Sequence, residues 1–124
     1  MISHPLYSSP NASATVSKAV IRIAERLNLS KTELAKILGV SQATVTRLYG
    51  GHYFLEEKRK EWDFALLLIR VFRSLDSILA NEQTAHQWLR SNNHALGGKP
   101  IDFIQQTEGL VRVIQYLDSS RGIV

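Results

Sequence analysis

Hydrogen-bonding and cationic side chains cluster between residues 41 and 47, in a segment with the spacing of a short helix. Gln42 can pair with the N6 and N7 atoms of adenine, and Arg47 with the O6 and N7 atoms of guanine. Serine and threonine hydroxyls, as at Ser41 and Thr44, can contact phosphate. The chemistry that this cluster predicts is contact with DNA. With two residues of the preceding segment, the candidate DNA-binding residues are Lys31, Thr32, Ser41, Gln42, Ala43, Thr44 and Arg47.

Catalytic chemistry has no comparable cluster in the sequence. His52, His86 and His94 share no metal-ligand spacing with one another or with a nearby carboxylate. No candidate nucleophile has an adjacent base, and Gly97-Gly98 lacks the strand-to-helix setting of a phosphate-binding loop. We therefore predict no enzyme activity, no catalytic or metal-binding residues and no cofactor.

The candidate DNA-binding residues lie on two short helices that the sequence predicts between Ser30 and Tyr49. Ser30 can cap the first helix, and Glu33 stands three residues later, as a capping box requires. Gly39 is predicted to end that helix, because glycine enters the left-handed conformation without steric cost. Ser41 can cap the second helix. The apolar residues predicted to face inward are Leu34, Ala35, Ile37, Leu38, Val45 and Leu48.

The spacing of these two helices follows a known pattern. Ala35, Gly39 and Val45 stand where Cro/repressor proteins carry a small residue, a glycine and a branched apolar residue. The segment therefore resembles the helix-turn-helix of that family, which implies DNA binding through the second helix. A helix-turn-helix can also serve only as a dimerisation scaffold, and this alternative stays open. The other apolar positions that fit the family are Leu34, Leu38, Val40 and Leu48.

The charge of the chain is unevenly distributed. The whole net charge of +4 lies in residues 1–55, whereas the charges of residues 56–124 cancel. Because DNA affinity comes largely from cations that displace condensed counterions, this distribution favours DNA as a partner. The sequence contains no cysteine, no secretory signal pattern and no apolar run approaching the roughly 20 residues of a membrane span. We therefore expect a cytoplasmic protein with no membrane segment.

Helical periodicity runs through the remaining chain without an alternating strand pattern. We predict an all-α protein in which a Cro/repressor-like helix-turn-helix bundle precedes a small helical domain. The predicted parts are a flexible arm at 1–12, the helix-turn-helix domain at 13–55, a connecting helix at 56–80 and a C-terminal domain at 81–124. The connecting helix is apolar nearly all round, which is typical either of a central core helix or of a helix that self-associates.

The C-terminal part carries a second and rarer pattern. It resembles the toxin-binding domain of Xre/MbcA/ParS-type antitoxins, and with the helix-turn-helix the resemblance covers nearly everything after residue 13. The residues that carry this second resemblance are Trp88, Leu89, Asn93, Leu96, Gly98, Pro100, Gly109, Val113, Leu117 and Gly122.

This second resemblance implies a specific protein partner. Such antitoxins pair with a RES-domain toxin, which resembles ADP-ribosyltransferases and destroys NAD. The resemblance also implies that the C-terminal segment of the antitoxin covers the approach to the toxin's NAD pocket. The residues that it assigns to toxin binding are Asn93, Leu96, Gly97, Gly98, Arg121, Gly122, Ile123 and Val124.

Together the two resemblances predict an antitoxin of a type II toxin–antitoxin module. Its expected partners are a cognate RES-domain toxin, operator DNA and a second copy of the chain. It would inhibit the toxin by binding and repress its own operon. Two alternatives stay open: a plain transcriptional repressor whose C-terminal half only dimerises, and an adaptor with no role in DNA binding.

Overall fold

The fold of the protein consists of helices. A computed structural model describes residues 10–79 and 81–122, and within these ranges there are seven helices and no strand, which confirms the predicted all-α class. In the same part of the chain, no helix has the length and apolar character needed to cross a membrane. The helices are α1 (Pro10–Arg26), α2 (Lys31–Leu38), α3 (Gln42–Tyr49), α4 (Glu61–Ile78), α5 (Glu82–Arg90), α6 (Pro100–Ile104) and α7 (Thr107–Gly122).

Helix α4 lies at the centre of the molecule. It packs against α1 and α2 on the N-terminal side and against α5 and α7 on the C-terminal side. Ala65, Leu68 and Val71 on its inner face are fully buried and belong to one continuous hydrophobic core. Its outer face carries Leu66, which is 40% exposed, and Arg73. The helix is therefore a core helix with one free face, rather than a helix buried all round.

Two helix boundaries differ from the sequence prediction. Helix α1 begins at Pro10, inside the arm predicted at 1–12, because proline suits the first helical turn and Ala12 adds a buried contact. Residues 1–9 of the predicted arm lie outside the described residues. Helix α4 begins at Glu61 rather than Glu56. The five preceding residues are charged and exposed, so no apolar side chain holds them against the core.

The segment after α3 is fixed to α1 through the backbone of Leu55. Its N–H donates to Ser17 Oγ at 2.9 Å, and its carbonyl accepts a hydrogen bond from the Ser13 hydroxyl. The Leu55 side chain is buried in the core. Gly51 turns the chain towards this point with a φ of +78°, a value that glycine adopts at no steric cost. The segment from Gly51 to Leu55 therefore holds a fixed position beside the start of α4.

Helices α6 and α7 approach each other closely at Gly109. A Cβ atom at this position would stand 2.1 Å from the carbonyl oxygen of Phe103, far inside the van der Waals limit. Only glycine therefore allows α7 to begin this close to α6. This contact sets the direction in which α7 runs back along α4.

Candidate functional site

Local hydrogen bonds fix the turn between α2 and α3. Ser30 Oγ accepts from the Glu33 N–H at 3.0 Å, and the Ser30 N–H donates to Glu33 Oε1 at 2.9 Å. Gly39 ends α2 with a φ of +73° in the left-handed region. Ser41 Oγ then caps α3 by accepting from the Thr44 N–H at 3.0 Å. The capping box, the glycine stop and the second cap are confirmed, so the orientation of α3 is set by local chemistry.

The two faces of α3 have opposite environments. Val45 and Leu48 are buried against α2 and the core, as predicted. On the other face, Gln42, Ala43 and Arg47 are exposed. Of the remaining candidates, Lys31, Thr32 and Ser41 are exposed, and Thr44 is half-buried.

The two cations among the candidate DNA-binding residues both lie over tyrosine rings. Lys31 Nζ is 5.2 Å from the centre of the Tyr49 ring, and Arg47 Cζ is 5.7 Å from the centre of the Tyr53 ring. Both separations fall within the range of cation–π attraction. The sequence analysis did not assign Tyr49 or Tyr53 to the site, although both tyrosines lie within six residues of Arg47 in the sequence.

The Tyr53 ring is itself held by a buried acid. Its hydroxyl donates a hydrogen bond to Glu61 at the start of α4, and Glu61 is buried. Burial and then this hydrogen bond raise the pKa of Tyr53 above its ordinary value, so the phenol stays protonated and keeps donating. The α4 N-terminus therefore fixes the ring on which Arg47 rests.

Helix α5 of the C-terminal half joins the helix-turn-helix through polar contacts. Arg90 Nη2 donates to Glu33 Oε1 at 2.9 Å, and Nη1 donates to Glu33 Oε2 at 3.0 Å. Arg90 Nη2 also donates to the backbone carbonyl of Asn28 at 2.8 Å. His86 contacts the backbone carbonyl of Arg26 at the end of α1. These contacts tie α5 to the end of α1 and the start of α2.

The Arg90–Glu33 hydrogen bonds raise the pKa of Arg90 and lower the pKa of Glu33. The hydrogen bond from Arg90 is the main factor that lowers the pKa of Glu33, and the Ser30 backbone and side chain lower it further. Burial opposes this shift but does not cancel it. Glu33 therefore stays ionised over a wider pH range in the folded protein than in the unfolded chain.

The loop between α5 and α6 contains four of the candidate toxin-binding residues. The Asn93 N–H donates to the Gly98 carbonyl at 2.8 Å, and Asn93 Oδ1 accepts from the Leu96 N–H at 3.0 Å. Gly97 is exposed with a φ of +84°, and Asn93 and Gly98 are half-buried. Leu96 is only 2% exposed, so its side chain anchors the loop in the core and does not face a partner.

Two of the predicted tail residues, Arg121 and Gly122, lie at the far end of α7 from this loop. Gly98 packs on the ring of Phe103, and Arg112 lies over the same ring with Cζ 5.1 Å from its centre. From Arg112 to Gly122, α7 extends about 15 Å at ~1.5 Å per residue. Arg121 and Gly122 form the end of α7, whereas Ile123 and Val124 lie outside the described residues. The loop and the end of α7 are thus two separate regions of the C-terminal half.

An exposed stripe of side chains on α7 runs between these two regions. Its members recur at three- and four-residue spacing, and Val111 among them is 39% exposed although it is apolar. The residues of the stripe are Glu108, Val111, Arg112, Gln115 and Ser119.

Among residues 10–79 and 81–122, no group of three or more His, Asp or Glu side chains could hold a metal ion.

Fold and surface together define the class of this chain: a helix-turn-helix protein with a second helical domain built on the same central helix. Residues 8–70 match the antitoxin Xre-like helix-turn-helix domain, and residues 74–122 match the antitoxin Xre/MbcA/ParS C-terminal toxin-binding domain. The chain therefore belongs to the Xre/MbcA/ParS-type antitoxins and is an antitoxin of a toxin–antitoxin system. Neither domain family is enzymatic, as predicted. No curated protein matches the chain.

The stability of the protein should depend on the charge of Glu33. Because its pKa is lowered in the folded state, its contribution is complete above the ordinary glutamate pKa and is lost as the pH falls through the folded pKa. Glu33→Gln should therefore lower the melting temperature near about pH 7, and the difference from wild type should shrink from about pH 5 to about pH 3. Thermal melts across this range measure it, with the exposed Glu57→Gln as control. An equal difference at every pH would contradict the prediction.

Proposed function

We propose that this antitoxin inhibits a RES-type, NAD-degrading toxin by direct binding and represses its own operon by binding operator DNA. The observation that carries the DNA-binding part is the exposed face of α3, held in one orientation by the caps at Ser30 and Ser41 and by Gly39. The match to the toxin-binding domain family supports the toxin-binding part. The resemblance of the C-terminal pattern supports the choice of a RES-type toxin.

The residues of α3 divide into base-reading and phosphate-contacting groups. Gln42 and Arg47 are exposed and carry the side chains that pair with adenine and guanine, and Ala43 can contact the methyl group of thymine. Lys31 and Thr32, exposed at the start of α2, suit phosphate contacts. Ser41 Oγ and Thr44 Oγ1 lie 2.9 Å apart, so one hydroxyl of the pair donates to the other, and the second keeps its proton for a phosphate.

Arg47→Ala should weaken operator binding by about 1–3 kcal/mol, the usual cost of losing one bidentate base contact. The loss should be smaller on unrelated DNA, because base contacts carry the sequence preference. Lys31→Ala should instead weaken binding to all sequences alike and flatten the dependence of affinity on salt. Gel shifts with the upstream region measure both effects. Arg112→Ala, the same change on α7, is the control. Unchanged operator affinity in Arg47→Ala would remove α3 from base reading.

The outer face of α4 suits contact with a second copy of the chain. Leu66 and Ile69 form its apolar centre, with Arg73 further along the same face. Asp63 precedes this centre, and neither Asp63 nor Arg73 forms an ion pair among the described residues. An antiparallel crossing near residue 68 would set Asp63 of each copy against Arg73 of the other. The face is therefore self-complementary in charge, as a two-fold interface requires.

Self-association should depend on this face of α4. Light scattering at micromolar concentration should give a dimer for the wild-type protein and a monomer for Leu66→Glu, which places a charge at the apolar centre. Val111→Glu, an equivalent change on α7, should leave the dimer intact. To meet successive major grooves, the two α3 helices of a dimer would have to lie about 34 Å apart. A wild-type protein that is strictly monomeric, both free and on DNA, would contradict the proposal.

We propose that toxin binding uses the surface of the C-terminal half along α7. The exposed loop at Gly97 lies near the Arg112 end of α7, and the stripe that contains Val111 runs from there towards Arg121 and Gly122. An occluding toxin contact through the C-terminal residues could therefore extend along the stripe to the loop. Leu96 would act indirectly, because its buried side chain keeps the loop in shape.

Deletion of residues 121–124 should abolish protection against the toxin without unfolding the protein. Chain ends contribute little to stability, so the helical melt should remain close to that of the wild type. Co-expression with the toxin of the neighbouring reading frame measures protection as growth. Gly97→Ala tests the loop separately, although its positive φ adds strain. Full protection by the truncated protein would assign inhibition to another surface, most directly the loop.

A further inference from the structure

Arg90 reaches from the C-terminal half to the start of α2, where phosphate contacts are proposed. Its guanidinium makes two hydrogen bonds to Glu33 and one to the Asn28 carbonyl. Glu33 Oε1 also accepts from the Ser30 N–H, so carboxylate and guanidinium both lie at the first turn of α2. Lys31 and Thr32 follow directly in the chain. The pair is partly shielded from water, with the Glu33 side chain 20% exposed and the Arg90 side chain 39% exposed.

The position of Glu33 poses an electrostatic problem for DNA binding. Glu33 and Glu25 are the two acidic residues among residues 1–55, and Glu33 stands within the first turn of α2. Two like charges a few ångströms apart repel by about 1 kcal/mol even at the dielectric constant of water. An unpaired Glu33 carboxylate would therefore oppose a phosphate group at this turn. A paired carboxylate would not.

We propose that Arg90 is a positioning residue of the DNA-binding site, although it belongs to the toxin-binding half of the chain. It neutralises Glu33 and holds that carboxylate in the capping box, so that the start of α2 can accept a phosphate beside Lys31 and Thr32. This inference rests on the proposed DNA-binding function. It requires no contact between Arg90 and a base.

Arginine is the residue that suits this position. Its planar guanidinium can bind both oxygens of one carboxylate and still donate to a carbonyl, as it does here to Glu33 and Asn28. A lysine ammonium would supply the charge but not the paired geometry. Arg90→Lys should therefore keep only part of the DNA affinity that Arg90→Ala loses.

Gel shifts with Arg90→Lys and three further variants test the inference on the whole chain. Arg90→Ala should weaken DNA binding about fivefold, which is ~1 kcal/mol of unrelieved repulsion. The loss should be equal on operator and unrelated DNA, since phosphates carry no sequence information. Glu33→Gln should bind at least as tightly as wild type, because glutamine keeps the capping box and removes the charge. The double variant Arg90→Ala with Glu33→Gln should recover to within about twofold of Glu33→Gln.

The outcomes separate this inference from the proposed function. Melting curves recorded at the gel-shift pH check that each variant is folded. If Glu33→Gln binds as weakly as Arg90→Ala, or if the double variant does not recover, the contact is only structural and the inference is overturned. A loss confined to operator DNA would mean that Arg90 reads bases, which also overturns it. Failure of the wild-type protein to bind DNA would overturn the proposed function itself.

Discussion

Burial of the inner face of α4 is the constraint on which the rest of the structure depends. Helices from both halves of the chain cover this face, α1 and α2 from one side and α5 and α7 from the other. Neither half could bury its own apolar surface as completely without α4, because helices of both halves pack on this one helix. The two family matches meet within this helix, at residues 70 and 74. The two halves are thus distinct in sequence pattern but share one core.

This arrangement also places the polar contacts between the halves. Helix α5 begins soon after α4 ends, and its last residue, Arg90, contacts Glu33 in α2. On the same helix, His86 contacts the backbone carbonyl of Arg26 at the end of α1. On the other side, the start of α4 brings Glu61 to Tyr53, and Tyr53 to Arg47. Both helices of the proposed DNA-binding site, α2 and α3, are therefore supported by residues outside the helix-turn-helix.

The sequence predicted the parts of the site that local chemistry determines. The caps at Ser30 and Ser41 and the stop at Gly39 depend on residues three or four positions apart, so they could be read directly. The pairing of Arg90 with Glu33 could not, because it joins residues far apart in the chain and leaves no local pattern. Leu96 was assigned to an interface because it belongs to a sequence pattern, but that pattern did not distinguish a buried anchor from an exposed contact. The start of α4 was placed too early because charged residues such as Glu56 and Lys60 are good helix formers, and only the absence of packing excludes them.

The shared core has a consequence for how this protein would be removed from a cell. A domain of this size with one continuous core unfolds as a single cooperative unit, without a stable half-folded form. A protease that captures the unfolded chain would then destroy both halves in one event. We expect the protein to have one lifetime rather than two, so that an operator and a toxin would be released together and not in sequence. The timing of both events would follow from the free energy of unfolding of a single structural unit.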